Sequence, residues 1–179
     1  DIWRCDPNGK EQPVTLTNGL GRKNNLTFRY TILDREERYL RDGQPVLLNV
    51  FDNKTKGDGL QYHVMGQPFT TKAPAIYPMI FASVQKSKDN NVLSYLTMTP
   101  SSSSNVTIAK FDENIAGNAG SGLMLSNTNP QQQNYNWYTV DLMKWKMFDG
   151  KMAEGLIFKP ENFDSTKKYP VITYVYGGP

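Results

Sequence analysis

The chain holds one cysteine and one histidine in 179 residues. A single cysteine excludes an internal disulfide. A single histidine excludes H-x-x-x-H ligand pairs, and no C-x-x-C occurs, so the common structural and catalytic zinc patterns are missing. No apolar run approaches the ~18 residues needed to span a bilayer as a helix. Gly-x-Ser-x-Gly, Gly-x-Gly-x-x-Gly and Walker-type loops are also absent. The nearest string, Gly120-Ser121-Gly122, lacks the elbow spacing and a preceding apolar strand. No cofactor is implied. Twenty Lys and Arg against 17 Asp and Glu give a net charge of +3. Short clusters such as Lys86 with Lys88, or Lys167 with Lys168, form no basic stripe interleaved with aromatics, which argues against nucleic-acid binding. No signal peptide opens the chain at Asp1, as expected of a mature, processed or excised chain.

What is present is β signal. Apolar residues make up 38% and aromatics 12%, enough for a core in one domain, or one and a fraction. Short runs of Val, Ile, Tyr, Phe and Thr alternate with turns rich in Gly, Pro, Asn and Asp. Strands are expected at Asp1–Asp6, Leu26–Leu33, Val46–Phe51, Leu60–Met65, Tyr77–Val84 and Val92–Thr99. Others follow at Val106–Phe111, Gly122–Leu125, Val140–Phe148, Met152–Lys159 and Val171–Tyr176. Asp149-Gly150 reads as a two-residue type I′ hairpin turn. Many short, evenly spaced strands point to a sandwich, barrel or propeller. Asp34–Arg41 fits either a short helix with a capping box or an exposed loop. Pro13–Asn25 reads as a polar connector and Asn114–Asn136 as a long loop. The apolar cluster after it places a domain boundary near Trp137–Asp141.

Few residues offer chemistry. Alternation puts Trp3 and Cys5 on one face, expected to point into a core, with Cys5 a small buried hydrophobe. His63 is expected on a strand, at a surface or lining a pore, rather than in a catalytic triad. Ser101–Ser104 read as a flexible turn after Pro100. No pair of carboxylates is patterned for glycoside hydrolysis. Trp137 and Tyr138 are expected in core or interdomain packing rather than in sugar binding. Asn25, Asn53 and Asn105 open N-x-T tripeptides, which matter only in a eukaryotic secretory route.

The C-terminal stretch F-D-G-K-M-A-E-G-L-I-F-K-P-E-N-F-D-S-T-K-K-Y-P-V-I-T-Y-V-Y-G-G-P resembles the opening of the catalytic domain in the prolyl oligopeptidase family of serine peptidases. It is most similar to the dipeptidyl-peptidase-IV-like branch of Bacteroides-type bacteria. The matching residues are Asp149, Gly150, Gly155, Lys159, Pro160, Asn162, Phe163, Lys168, Tyr169, Pro170, Val171 and Tyr176-Gly177-Gly178-Pro179. Earlier, D-I-W-R-C-D-P-N-G-K, L-T-N-G-x-G-R-K-N-N and L-S-N-T-N-P-Q resemble the last blades of that branch's propeller, less sharply.

The resemblance implies a mainly β chain, with the last blades of a β-propeller over residues 1–138 and the first strands of an α/β-hydrolase domain over 139–179. It implies a secreted or periplasmic exopeptidase acting on short peptides, often after proline. The nucleophilic Ser, the Asp and the His of the triad have no counterparts in these residues, so this piece is expected to be inactive. Tyr176 matches the family's oxyanion-binding tyrosine. Ending on an apolar strand and Gly-Gly-Pro suggests a truncated element, so edge pairing or strand swapping into a homo-oligomer is expected. The alternative from the residues alone is a free-standing β-rich module binding a peptide or glycan.

Overall fold

A computed structural model describes residues 1–175. It is mainly β, with 40% strand and 10% helix. The chain divides into two compact units, Asp1–Pro130 and a second that begins at Gln131.

In the first unit, β1 (Trp3–Arg4) pairs with β2 (Val14–Thr15), and a short helix α1 (Leu20–Asn24) follows. A three-stranded antiparallel meander comes next: β3 (Leu26–Thr31), β4 (Pro45–Asp52) and β5 (Asp58–Val64). A four-stranded antiparallel sheet has the order β6 (Ile80–Lys86), β7 (Val92–Thr99), β8 (Ser102–Lys110) and β9 (Leu123–Met124). Helix α2 (Ile115–Asn118) lies between β8 and β9.

β4 explains why two cores form. In V-L-L-N-V the side chains alternate faces, and each face meets its own cluster. Leu47, with Leu60 of β5, packs among Phe81, Leu93, Tyr95, Phe111 and Ile115, joining the two sheets. Leu48 and Val50 face the other way, onto Leu20, Leu26, Phe28 and Phe69. A strand buried on both faces carries a nearly continuous apolar run, and β4 reads that way.

The second unit is a hairpin of β10 (Tyr138–Lys146) and β11 (Met152–Pro160), antiparallel over nine residues each. Lys144 pairs with Glu154 across the strands at 2.6 Å, and Lys159 with Asp141. Trp145 lies over Gly155, where a Cβ would come within 3.1 Å of the indole.

Several expectations change. The turn at Asp149-Gly150 has more than two residues. Gly150 N–H donates to Met147 O at 3.0 Å, and Met147 N–H donates to Lys151 O at 2.8 Å. Only Gly150 takes a positive φ, +84°, so the geometry is a turn closed by a glycine bulge rather than type I′. Trp3 and Cys5 are exposed, and Ile2 is the residue packed against the second cluster. The reason is that β1 pairs through only two residues, and the side of that ribbon facing the core carries the even-numbered Ile2. Pro13–Asn25 contains β2 and α1. Asp1 replaces the capping signal that local sequence lacks: its carboxylate accepts from Gly21 N–H (3.0 Å), Arg22 N–H (3.2 Å) and Thr17 Oγ1 (2.7 Å).

Ser102, Ser103 and Ser104 belong to β8 rather than to a loop. Polar partners organise this region. Buried Asn105 accepts through Oδ1 from Ser126 Oγ (3.0 Å) and Thr128 N–H (2.9 Å), which draws the 126–128 segment alongside β8. The stretch 114–136 therefore holds α2, β9 and two 3-10 turns, Ala119–Ser121 and Pro130–Asn134. Asp34–Arg41 takes the loop alternative, with Asp34 Oδ1 accepting from Glu36 N–H at 2.9 Å. Val171 through Val175 belong to no strand and are exposed. Among the described residues, no helix is long and apolar enough to cross a membrane.

Candidate functional site

β5 is an outer strand: β4 pairs along one side, and the other side carries a single isolated bridge. There Asp58 N–H donates to Tyr77 O (3.1 Å) and Tyr77 N–H donates to Asp58 O (2.8 Å). Glycines permit this approach, since a Cβ on Gly57 would meet Tyr77 O at 2.5 Å and one on Gly59 would meet Ala75 O at 2.5 Å. The approaching segment then leaves the strand. Ala75 N–H donates to Ala116 O on α2 at 2.8 Å, and Tyr77 Oη donates to Gly117 O at 2.6 Å.

Because the segment peels away, a cleft of about 660 Å³ opens along the end of β5. Its walls are Gln61 to Val64, the loop 67–75 and residues 113–118 around α2. Backbone groups of an antiparallel strand alternate sides. Those of Leu60, Tyr62 and Val64 therefore face the same way as Asp58, toward the open edge. Two of them are already occupied: Tyr62 O accepts from the Gln61 side-chain Nε2 at 2.7 Å, and Val64 O accepts from Gln67 N–H at 3.1 Å. The other amide atom, Gln61 Oε1, is buried without a hydrogen-bond partner. Such an orphan acceptor costs about 1–3 kcal/mol until a donor reaches it.

The electrostatics are graded. Burial pushes the Tyr62 phenol above its usual range, helped by the negative charges of Glu113 and Asp112. Glu113 lies on the wall near Tyr62, and Lys72 lies on the loop wall. Together the groups give the cleft wall an unpartnered amide oxygen, a carboxylate and an ammonium group.

His63, on β5, lines this cleft yet is buried, with 8% exposure, rather than lying at a surface. Its ring sits 4.9 Å from that of Phe69, and burial holds its pKa below 6.5, leaving it neutral at neutral pH. Trp137 and Tyr138 stack on each other at 5.4 Å and stay partly exposed. Tyr176 lies outside the described residues, so the structure does not place the expected oxyanion ligand. The β5 edge, Gln61 and Glu113 were not among the sequence expectations. A Gln and a His at alternate positions of an apolar strand were the only local signal.

The fold defines a mainly β protein built of several antiparallel sheets. No protein-family model matches the chain, and neither a curated protein nor a solved structure does.

Proposed function

We propose that this chain belongs to a serine exopeptidase of the prolyl oligopeptidase family, dipeptidyl-peptidase-IV-like branch, which hydrolyses short peptides, often after proline, in a secreted or periplasmic setting. The observation that carries the reading is the motif run from Phe148 to Pro179, with D-G, K-P, K-Y-P-V-I and Y-G-G-P in order. Two features support it. The β6-β7-β8-β9 sheet is a four-stranded antiparallel unit of the kind from which propeller blades are made. The β10–β11 hairpin is apolar on both faces, with Val140, Leu142, Leu156 and Phe158 on one and Met143, Trp145 and Ile157 on the other. Strands with that pattern suit the two-sided burial of an α/β sheet.

In this reading residues 1–138 close a propeller and residues 139–179 begin the hydrolase. The triad lies elsewhere in the protein, so the 179 residues alone do not turn over substrate. A Ser hydroxyl attacks the peptide carbonyl and the acyl-enzyme is then hydrolysed. Tyr176 donates its phenol O–H to the oxyanion.

The test is the natural gene product with a fluorogenic Xaa-Pro substrate. Turnover is expected, and Tyr176→Phe should lower kcat by roughly 10²-fold, the scale of losing one oxyanion donor. Absence of turnover, or a natural product no longer than this chain, would overturn the reading in favour of a binding module.

A further inference from the structure

We propose that the cleft at the end of β5 is a site for a small zwitterion, an α-amino acid with an apolar side chain, with its ammonium group toward Gln61 and Glu113 and its carboxylate toward Lys72. The proposal goes beyond the peptidase reading and does not rest on it.

The floor of the cleft comes first. Two polar side chains that line it, Gln61 and His63, are buried, with 5% and 8% exposure. Buried polar groups are nearly always paired. Here they are not. Gln61 Nε2 donates to Tyr62 O, which holds the amide at the outer side of the strand, and its Oε1 is left without a partner. The His63 ring packs against Phe69 and makes no hydrogen bond among the described residues. A neutral imidazole offers one N–H donor and one acceptor nitrogen. The floor therefore lacks a donor for Gln61 and partners for His63.

The walls carry charge of both signs. Burial, and then the charges of Glu113 and Asp112, hold the Tyr62 phenol above its usual range, so the carboxylate charge is felt at the end of β5. Lys72 lies on the loop wall. Glu113 and Lys72 are both exposed, and neither forms an ion pair among the described residues. A ligand of one sign is attracted by one of these groups and repelled by the other, whereas a zwitterion satisfies both.

Size and lining agree with such a ligand. The volume of about 660 Å³ falls within the ~300–1,000 Å³ of small-molecule sites. Pro68, Ala73 and Pro74 give an apolar side chain a surface to cover. An ammonium group has three N–H donors, enough for Gln61 Oε1 and the Glu113 carboxylate together. The ligand carboxylate accepts from Lys72 and offers the His63 N–H an acceptor.

The test titrates the 179-residue chain with phenylalanine, N-acetylphenylalanine and phenylalanine amide, read by the backbone amide chemical shifts of residues 61–64. Phenylalanine should produce saturable shifts. Each capped form lacks one charge and should bind about fivefold more weakly, the upper end for an exposed ion pair. Glu113→Gln should abolish the penalty for N-acetylation and keep that for amidation, and Lys72→Met should do the reverse. Both positions are exposed, so the fold tolerates the changes. The proposal fails if phenylalanine does not saturate, if both capped forms bind as well as phenylalanine, or if either substitution leaves its own penalty in place. A penalty for N-acetylation alone would mark a cation site and overturn the zwitterion as well.

Discussion

The β3-β4-β5 sheet and the β10–β11 hairpin are written in the same residue alphabet and end in opposite environments. Leu47 on β4 has no exposed surface, whereas Leu156 and Phe158 on β11 keep 58% and 60% of theirs. Both regions alternate correctly, and both pair antiparallel over long stretches. The difference lies above the faces. β4 has a cluster on each side, one shared with the second sheet and one with α1 and Phe69. Among the described residues, no hairpin side chain belongs to either buried cluster; its contacts include the ion pairs at Lys144–Glu154 and Asp141–Lys159, the ring contact of Tyr138 with Phe158 and Lys159 over the Phe163 ring. A lone two-stranded hairpin is marginal in water, so its apolar faces are a demand for further packing.

The sharpest way to break this comparison is truncation on both sides of it. Leu47→Ala should cost about 2–5 kcal/mol, because a fully buried leucine leaves a cavity. Leu156→Ala should change stability by less than about 0.5 kcal/mol. Urea unfolding of the 179-residue chain reads both, and equal losses would erase the distinction. Tyr95→Phe sharpens it at the level of one hydrogen bond. Tyr95 Oη donates to Ala119 O at 2.7 Å in the core, and burial together with Tyr77 pushes its pKa up to about 12. Removing the hydroxyl orphans that carbonyl, with an expected loss of about 1–3 kcal/mol in the same assay.

Glycine substitutions extend the contrast to the backbone. Gly59→Ala sets a methyl against Ala75 O at 2.5 Å, a rigid carbonyl, and should cost about 1–3 kcal/mol. Gly155→Ala meets only the edge of the half-exposed Trp145 ring, which can swing away, and should cost less. A larger loss for Gly155→Ala in thermal melts would mean that the hairpin is packed more tightly than its exposure shows.

These regions also differ in how much the sequence reveals. Val92–Thr99 is legible to the residue, and β4, β5 and β11 nearly so, because apolar residues and flanking turn residues coincide there. Where polar or distant groups decide, the sequence is silent. α1 is capped by the carboxylate of Asp1, and the 126–128 segment is held by Asn105. Neither partner is local. Alternation assigns Trp3 and Cys5 to the wrong face of β1 because two paired residues give it too little to act on. The cleft was invisible for the same physical reason: an edge strand, a diverging loop and a four-residue helix make it jointly.

The smallest expected effect is a pH dependence confined to the first unit. Burial lowers the pKa of His63 below 6.5, so the unfolded chain takes up its proton first as pH falls. The contribution of His63 is therefore fully present above pH 6.5 and is lost progressively as pH drops below it. Urea midpoints at pH 7 and pH 5 should differ less for His63→Gln than for the unaltered chain. An unchanged difference would remove His63 from the acid limb.

Amide hydrogen exchange tests the central comparison most directly. In the 179-residue chain, the amides of β7 should exchange only with global unfolding, and those of β10 and β11 should exchange through local opening, orders of magnitude faster. In the natural gene product the hairpin amides should become as protected as those of β7. Hairpin amides in the 179-residue chain as slow as those of β7 would contradict the account, because the hairpin would then already have the packing that its exposed faces are argued to require.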